Sequence, residues 1–187
     1  MKKLFLIIGA PGSGKTTDAE LIAQDNSDIT HYSTGDMLRA EVASGSDLGR
    51  EINQYITKGL IVPIGIAMET ITTAILNAPS QSVILDGYPR SIEQMQVLEK
   101  FLQTNTTIAL EKIIEVDVSE ATARDRVLGR NRGEDDNTEV FDNRMKVYRE
   151  PLAQIQAFYM SKNLLKVVSG EGTIEEVVAN IKTLILS

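Results

Sequence analysis

The sequence predicts an α/β protein built on a five-stranded parallel sheet flanked by helices, and three observations lead there. Short runs rich in Ile, Leu and Val alternate with longer helical stretches. The clearest of these runs are apolar almost throughout, as strands covered on both faces must be. A glycine-rich stretch follows the first run and opens a helix. With 187 residues the chain is expected to form one domain with a substantial core.

The elements follow in order. "KLFLII" (3–8) is the first strand and "THYS" (30–33) a short, ambiguous second. Residues 35–78 are too long for one simple crossover: "GDMLRAEVASG", "SDLGREINQYITKG" and "IGIAMETITTAIL" each read as helical, punctuated by Gly45 and Gly59. "SVILD" (82–86), "KIIEVDV" (112–118) and "LLKVV" (164–168) are the remaining strands. The last helix begins at Thr173 and Glu176, spaced as a capping box. Its Ile174, Val177, Val178, Ile181, Leu184 and Ile185 share one face. Residues 129–139 are polar, without apolar period, and read as a functional loop.

Composition excludes some classes. Hydrophobic residues are 42% and charged residues 24%, ordinary for a globular protein. No Cys is present, so neither a disulfide framework nor a thiolate zinc site is available. The apolar run after Lys2 and Lys3 is too short for a signal peptide, and no later segment is long enough to span a membrane. A cytoplasmic protein without membrane partners is expected. The net charge of −7 argues against a nucleic-acid partner.

Gly9-Ala10-Pro11-Gly12-Ser13-Gly14-Lys15-Thr16 fits G-x-x-x-x-G-K-[ST], with a strand before it and a helix after. Glycines let the backbone approach phosphate closely. Successive N–H groups and the helix N-terminus then face the anion. Lys15 adds charge toward the β- and γ-phosphates, and the Thr16 hydroxyl is placed to ligate Mg²⁺. The motif specifies an NTP's phosphates but not the reaction.

Three further stretches narrow the chemistry. In "SVILDGYPRSIEQ", Asp86 ends a strand where a carboxylate can orient Mg²⁺ or its waters, and Arg90 follows at the same edge. Taken alone, the stretch reads equally as a strand end, a turn and a solvated Arg. Tyr88 before Pro89 is extended and can be cis. In "STGDMLR", Arg39 lies early on a helix starting near Thr34 and Gly35; alone it reads as a surface Arg. "ARDRVLGRNRGEDD" carries Arg124, Arg126, Arg130 and Arg132, with Arg144 on the next helix. Arg126 and Arg130 share a face and repel by a few tenths of a kcal/mol. Pairing with Asp125 and the acidic run at 134–136 would answer that, but the cluster fits a lid closing on phosphate. His31, the single histidine, is expected to be packing rather than an acid–base group. Phosphoryl transfer to an anionic acceptor needs charge neutralisation and alignment rather than a strong base.

Taken together, "GAPGSGKTT", "STGDMLR", "GLIVP", "DGYPRSIEQ" and "DRVLGR" recur in the order and spacing of the adenylate kinases, which the chain resembles from Lys3 to its last helix. The resemblance implies a P-loop NTPase fold with an AMP-binding helical insertion (33–62), a core (1–32, 63–129, 137–187) and a short lid (130–136). It implies transfer from Mg·ATP to AMP, giving two ADP, by a monomer. Gly12, Ser13, Gly14, Lys15, Thr16 and Thr17 would hold the ATP phosphates. Arg126 and Arg130 would contact ATP, and Gly172 would line the adenine pocket. Thr34, Arg39, Leu60, Ile61, Val62, Gly87, Tyr88, Pro89, Arg90 and Gln94 would bind AMP. Arg132 and Arg144 would bridge the transferring phosphoryl group, with Lys15 and Arg90 beside them. Asp86 would organise Mg²⁺ through water, with Asp36 a weaker candidate.

The lid departs from the long bacterial form, without a cysteine zinc site. The family's Arg-x-Asp-Asp is one residue longer here, Arg132 to Asp136, with Gly129 and Gly133 as hinges. Uridylate-cytidylate kinases are similar but usually have Ala and Asn where Thr34 and Gln94 stand, which favours AMP. A UMP/CMP kinase is the alternative within the class, and a nucleotide-binding switch without turnover the alternative outside it.

Overall fold

The computed structural model describes residues 1–130 and 137–187, the side chain of Arg130 excepted. The expected lid at 130–136, with Arg132 and the Arg130 side chain, therefore lies outside the described residues. The strands are β1 (Lys2–Gly9), β2 (Ile29–Ser33), β3 (Ser82–Asp86), β4 (Ile108–Asp117) and β5 (Leu165–Ser169). They form one sheet in the order β2-β3-β1-β4-β5, every neighbouring pair parallel. All five expected strands are present, the short second one included.

β4 begins four residues earlier than the sequence pattern suggests. Its register against β1 shifts between Leu4 and Phe5, so Leu4 pairs with Leu110 and Phe5 with Lys112. That irregularity, with Glu111 and Lys112 in the run, hides the strand's start from an alternation test.

The helices are α1 (Lys15–Gln24), α2 (Thr34–Ala43), α3 (Asp47–Ile56), α4 (Ile64–Asn77), α5 (Ile92–Thr104), α6 (Glu120–Arg130), α7 (Thr138–Ser161) and α8 (Ile174–Leu186). The stretch 35–78 does hold three helices. Each has a chemical start: the Ser33 side chain accepts from the Asp36 N–H, that of Ser46 accepts from the Gly49 N–H, and Pro63 precedes α4. The capping box at α8 forms, with Thr173 and Glu176 satisfying each other's backbone N–H groups.

Strand alternation on β1 builds two cores. Leu4, Leu6 and Ile8 face Ile71 and Ile75 of α4, Leu98 of α5, and Ile155 and Tyr159 of α7. Phe5 and Ile7 face Ala19 and Ile22 of α1, and Val177, Ile181 and Ile185 of α8. Burying each such Leu or Ile stabilises the fold by about 1.5–3 kcal/mol. A third cluster of Ala10, Ala123, Val127, Phe141 and Met145 seats the glycine-rich loop on α6 and α7.

This topology places the site. The connection from β1 runs to β2, beyond β3, while that from β3 runs to β4, on the far side of β1. Chain departing in opposite directions opens a crevice at the strands' carboxyl ends. Gly9 to Lys15, Thr34 and Asp86 to Arg90 all emerge at that edge. Among the described residues, no helix is long and apolar enough to cross a membrane.

Candidate active site

The phosphate loop is held open by its backbone. Gly12 and Gly14 adopt left-handed φ values of 83° and 97°, which an L side chain rarely tolerates. A Cβ on Gly12 would also lie 2.4 Å from the Ala123 carbonyl oxygen, so α6 dictates the loop's shape. No side chain caps α1 at Gly14, and a helix N-terminus of that kind is suited to an anion. The Lys15 Nζ donates to the Ala10 carbonyl at 3.2 Å, across the loop.

Asp86 is the opposite pole. It is 1% exposed, yet both carboxylate oxygens are engaged. Oδ1 accepts from Thr16 Oγ1 at 3.1 Å and from Ser33 Oγ at 3.4 Å. His31 Nε2 lies 2.6 Å from Oδ2, so the hydrogen-bond pattern assigns the proton to Nε2. His31 is thus more than packing, because it fixes the strand-end carboxylate. A hydroxyl and a carboxylate at this spacing suit a hard, largely hydrated cation such as Mg²⁺. Thr16 gives its proton to Asp86 and keeps its lone pairs for a metal. Asp36, the weaker candidate, is instead paired with Arg39.

The arginines separate by role. Arg39, Arg90 and Arg144 line the central cleft together with Gly12, Lys15, Thr16, Asp86, Leu60 and Ile61. Arg90 Nε donates to the Gly87 carbonyl and its backbone N–H to Gln94 Oε1, both at 2.7 Å. Arg90 remains open to solvent in the cleft, yet the protein crowded around it lowers its pKa to about 10 by reducing its hydration; the Arg144 and Arg39 cations add to the shift, and Asp86 opposes it. Arg126 donates to the carbonyls of Ser13 and Gly170, tying the phosphate loop to the segment before α8. Arg124 departs from the expected phosphate cluster. It pairs with Asp142 at 2.7 Å and Glu120 at 3.4 Å, and sits 4.7 Å from the centre of the Phe141 ring.

Two side pockets adjoin the cleft. Thr34, Val62, Tyr88 and Gln94 line one and share Arg39, Gly87, Arg90 and Arg144 with the cleft. Ser13, Gly14, Thr17, Arg126 and Gly172 line the other and share Gly12, Lys15 and Thr16 with it. Pro89, preceded by a cis peptide bond, lines the cleft itself. Among the described residues, the Thr34 hydroxyl is buried without a hydrogen-bond partner, as expected of a group that awaits a ligand. Apart from Asp36 and Arg124, every predicted site residue whose side chain is described lies on one of these three connected surfaces.

The comparisons agree with this geometry. The family model described as adenylate kinase matches residues 7–164. A Nitratiruptor protein named adenylate kinase is 62% identical over 187 residues, covering 100% of this chain and 96% of its own length. An adenylate kinase of Campylobacter lari is 59% identical, covering 99% and 97%, and one of Wolinella succinogenes is 60% identical, covering 100% and 99%. The chain belongs to the adenylate kinase family. It is a phosphotransferase of the nucleoside monophosphate kinase class, and the uridylate-cytidylate alternative is not favoured.

Placed against this adenylate kinase site, two residues escaped the sequence reading. His31 shares the parity of Ser33 along β2, and Ser33 is registered opposite Asp86; that parity was the available signal. Asp18 gave none. It is 3% exposed on α1, its Oδ2 has no hydrogen-bond partner among the described residues, and it lies beneath Gly14. Burial pushes its pKa up to about 6 against the opposing pull of Arg126 and Lys15. The folded protein therefore holds this proton more tightly than the unfolded chain. Stability falls as pH rises from about 4 to about 6, and the cost is fully present above. Asp18→Asn should raise the melting temperature at pH 7.5 by about 3 °C, equivalent to ~1 kcal/mol after discounting for hydration. At pH 4 the gain should vanish. A gain independent of pH in thermal melts would count against the shift.

Proposed function

We propose that the chain catalyses Mg·ATP + AMP ⇌ 2 ADP, with the two nucleotides meeting at the central cleft. The observation that carries this reading is the convergence of Lys15 with Arg39, Arg90 and Arg144 in one cavity flanked by two side pockets. A simple NTP hydrolase has one phosphate chain to neutralise; this cluster suits two.

In this reading Gly12 to Thr17 hold the donor phosphates, while Arg126 and Gly172 flank its base. Thr34, Arg39, Leu60 to Val62, Gly87 to Arg90 and Gln94 hold the acceptor. With its oxygen committed to the Arg90 N–H, Gln94 offers its amide NH₂ to the acceptor base. Adenine presents ring-nitrogen acceptors for such a donor, and the buried Thr34 hydroxyl adds a second polar contact. Lys15, Arg90 and Arg144 gather negative charge around the group in transit. When bound at Thr16 and Asp86, Mg²⁺ supplies neutralisation of the donor phosphates. His31 is committed to Asp86, so the acceptor phosphate attacks as the anion it already is. By resemblance the 33–62 insertion and the 130–136 lid, with Arg130 and Arg132, close over the two substrates and exclude water. A monomer acting on free nucleotides in the cytoplasm completes the reading.

A coupled assay of ADP formation tests it, run across AMP, GMP, UMP and CMP with and without Mg²⁺. AMP- and Mg²⁺-dependent ADP formation is expected. Faster turnover of UMP or CMP would overturn the acceptor assignment, and ATP binding without turnover would overturn the reaction.

A further inference from the structure

Helix α7 carries Arg144 and contains Pro151. Proline has no N–H for the carbonyl four residues back, here that of Val147, so the helical ladder is interrupted there. Val147 and Pro151 both line the central cleft. Arg144 is seven residues upstream, roughly 10 Å along the axis. A change of about 10° in the helix at Pro151 would therefore move Arg144 by roughly 2 Å. A misplacement of about 1 Å can cost on the order of 100-fold in rate. Something must hold the two halves of α7 at a fixed angle.

Glu115 of β4 is in place to do so. It is 2% exposed, with no cation among its hydrogen-bond partners in the described residues. Its Oε1 accepts from the Tyr148 hydroxyl at 3.0 Å, and its Oε2 from the Gln156 amide at 2.7 Å. Tyr148 lies three residues before Pro151 and Gln156 five after. One buried carboxylate thus grips both sides of the interruption. Burial and the neighbouring Glu115 raise the Tyr148 pKa, which keeps its hydroxyl a donor. A buried acid is a costly way to fill core space, and an apolar residue would pack there without a partner.

We infer that Glu115 is a positioning residue for phosphoryl transfer: by holding Tyr148 and Gln156 across Pro151, it fixes the course of α7 and so the place of Arg144 in the cleft. This rests on the role proposed for Arg144. The test is a double-mutant cycle in kcat, with KM and melting temperature measured alongside. Gln156→Leu should lower kcat about tenfold with the KM for ATP little changed. In an Arg144→Ala background the same change should cost less than about twofold. The exchange Glu115→Gln with Gln156→Glu re-forms both bonds. The amide introduced on β4 accepts from Tyr148 and donates to the carboxylate introduced on α7, and kcat should be restored. If Gln156→Leu does not fold, Tyr148→Phe takes its place in the cycle. Equal losses in both backgrounds would overturn the inference, as would an exchange that restores the melting temperature but not kcat. If Arg144→Ala alone keeps the parent kcat, the reading of Arg144 fails first and the inference falls with it.

Discussion

Replacing Lys15 by Met is expected to abolish phosphoryl transfer and leave the fold intact. Lys15 opens α1 at the floor of the central cleft, with its ammonium reaching across the loop to the Ala10 carbonyl. Methionine matches most of the chain's length and none of its charge. The loop's shape rests chiefly on other features than the ammonium: Gly12 and Gly14 set its turns, and the Ala10–Ala123–Phe141 cluster supports it. What is lost is a fixed positive charge beside phosphates on which negative charge shifts during transfer. Removing a single preorganised group of this kind costs about 10²–10³ in rate, and a full charge at the transferring group more. We expect kcat to fall by about 10³ or more, with the melting temperature within about 2 °C of the parent. Steady-state assays and thermal melts decide it. A near-normal rate would remove the loop from the chemistry.

Arg90→Ala should separate the two substrates. Its guanidinium is anchored to the Gly87 carbonyl and shares the cleft with Arg39 and Arg144. At neutral pH all three cations are charged, and their mutual repulsion contributes to the lowered pKa of Arg90. An anionic acceptor would relieve that repulsion, so the cluster suits a second phosphate better than it suits a stabilising role in the fold. A hydrogen bond to a charged group is worth about 1.5–3 kcal/mol, so the KM for AMP should rise by roughly 10- to 100-fold. ATP affinity should change by less than about threefold, since Ser13, Thr17, Arg126 and Gly172 line a side pocket that Arg90 does not reach. Parallel titrations of the two nucleotides provide the measurement. Equal losses for both would sink the division into donor and acceptor halves.

Part of this site is legible from local sequence because its physics is local. The phosphate loop needs only eight consecutive residues, a strand behind them and a helix ahead. Asp86 at a strand end, the three helices of 35–78 and the α8 capping box are short-range patterns of the same kind. Their order along the chain points to one nucleotide bound near a strand edge, and the family motifs add the second.

Contacts between distant segments follow different rules. His31 and Asp86 are 55 positions apart and meet because β2 and β3 pair in one register; a slip of one residue would turn His31 away. Arg124 and Arg126 are two positions apart on α6, so the helical twist sends them in different directions, one to Asp142 and Phe141, the other to Ser13 and Gly170. Glu115 reads as one charge in an apolar strand until α7 is laid across it. By itself, the sequence determined the elements, the parallel sheet and the phosphate-binding loop, since each arises from neighbours in the chain. Only the tertiary structure decided that Arg124 turns away from the cleft, what holds Asp86 and how α7 is clamped. Those outcomes depend on register and helix rotation, which fold-wide packing sets and no local stretch encodes.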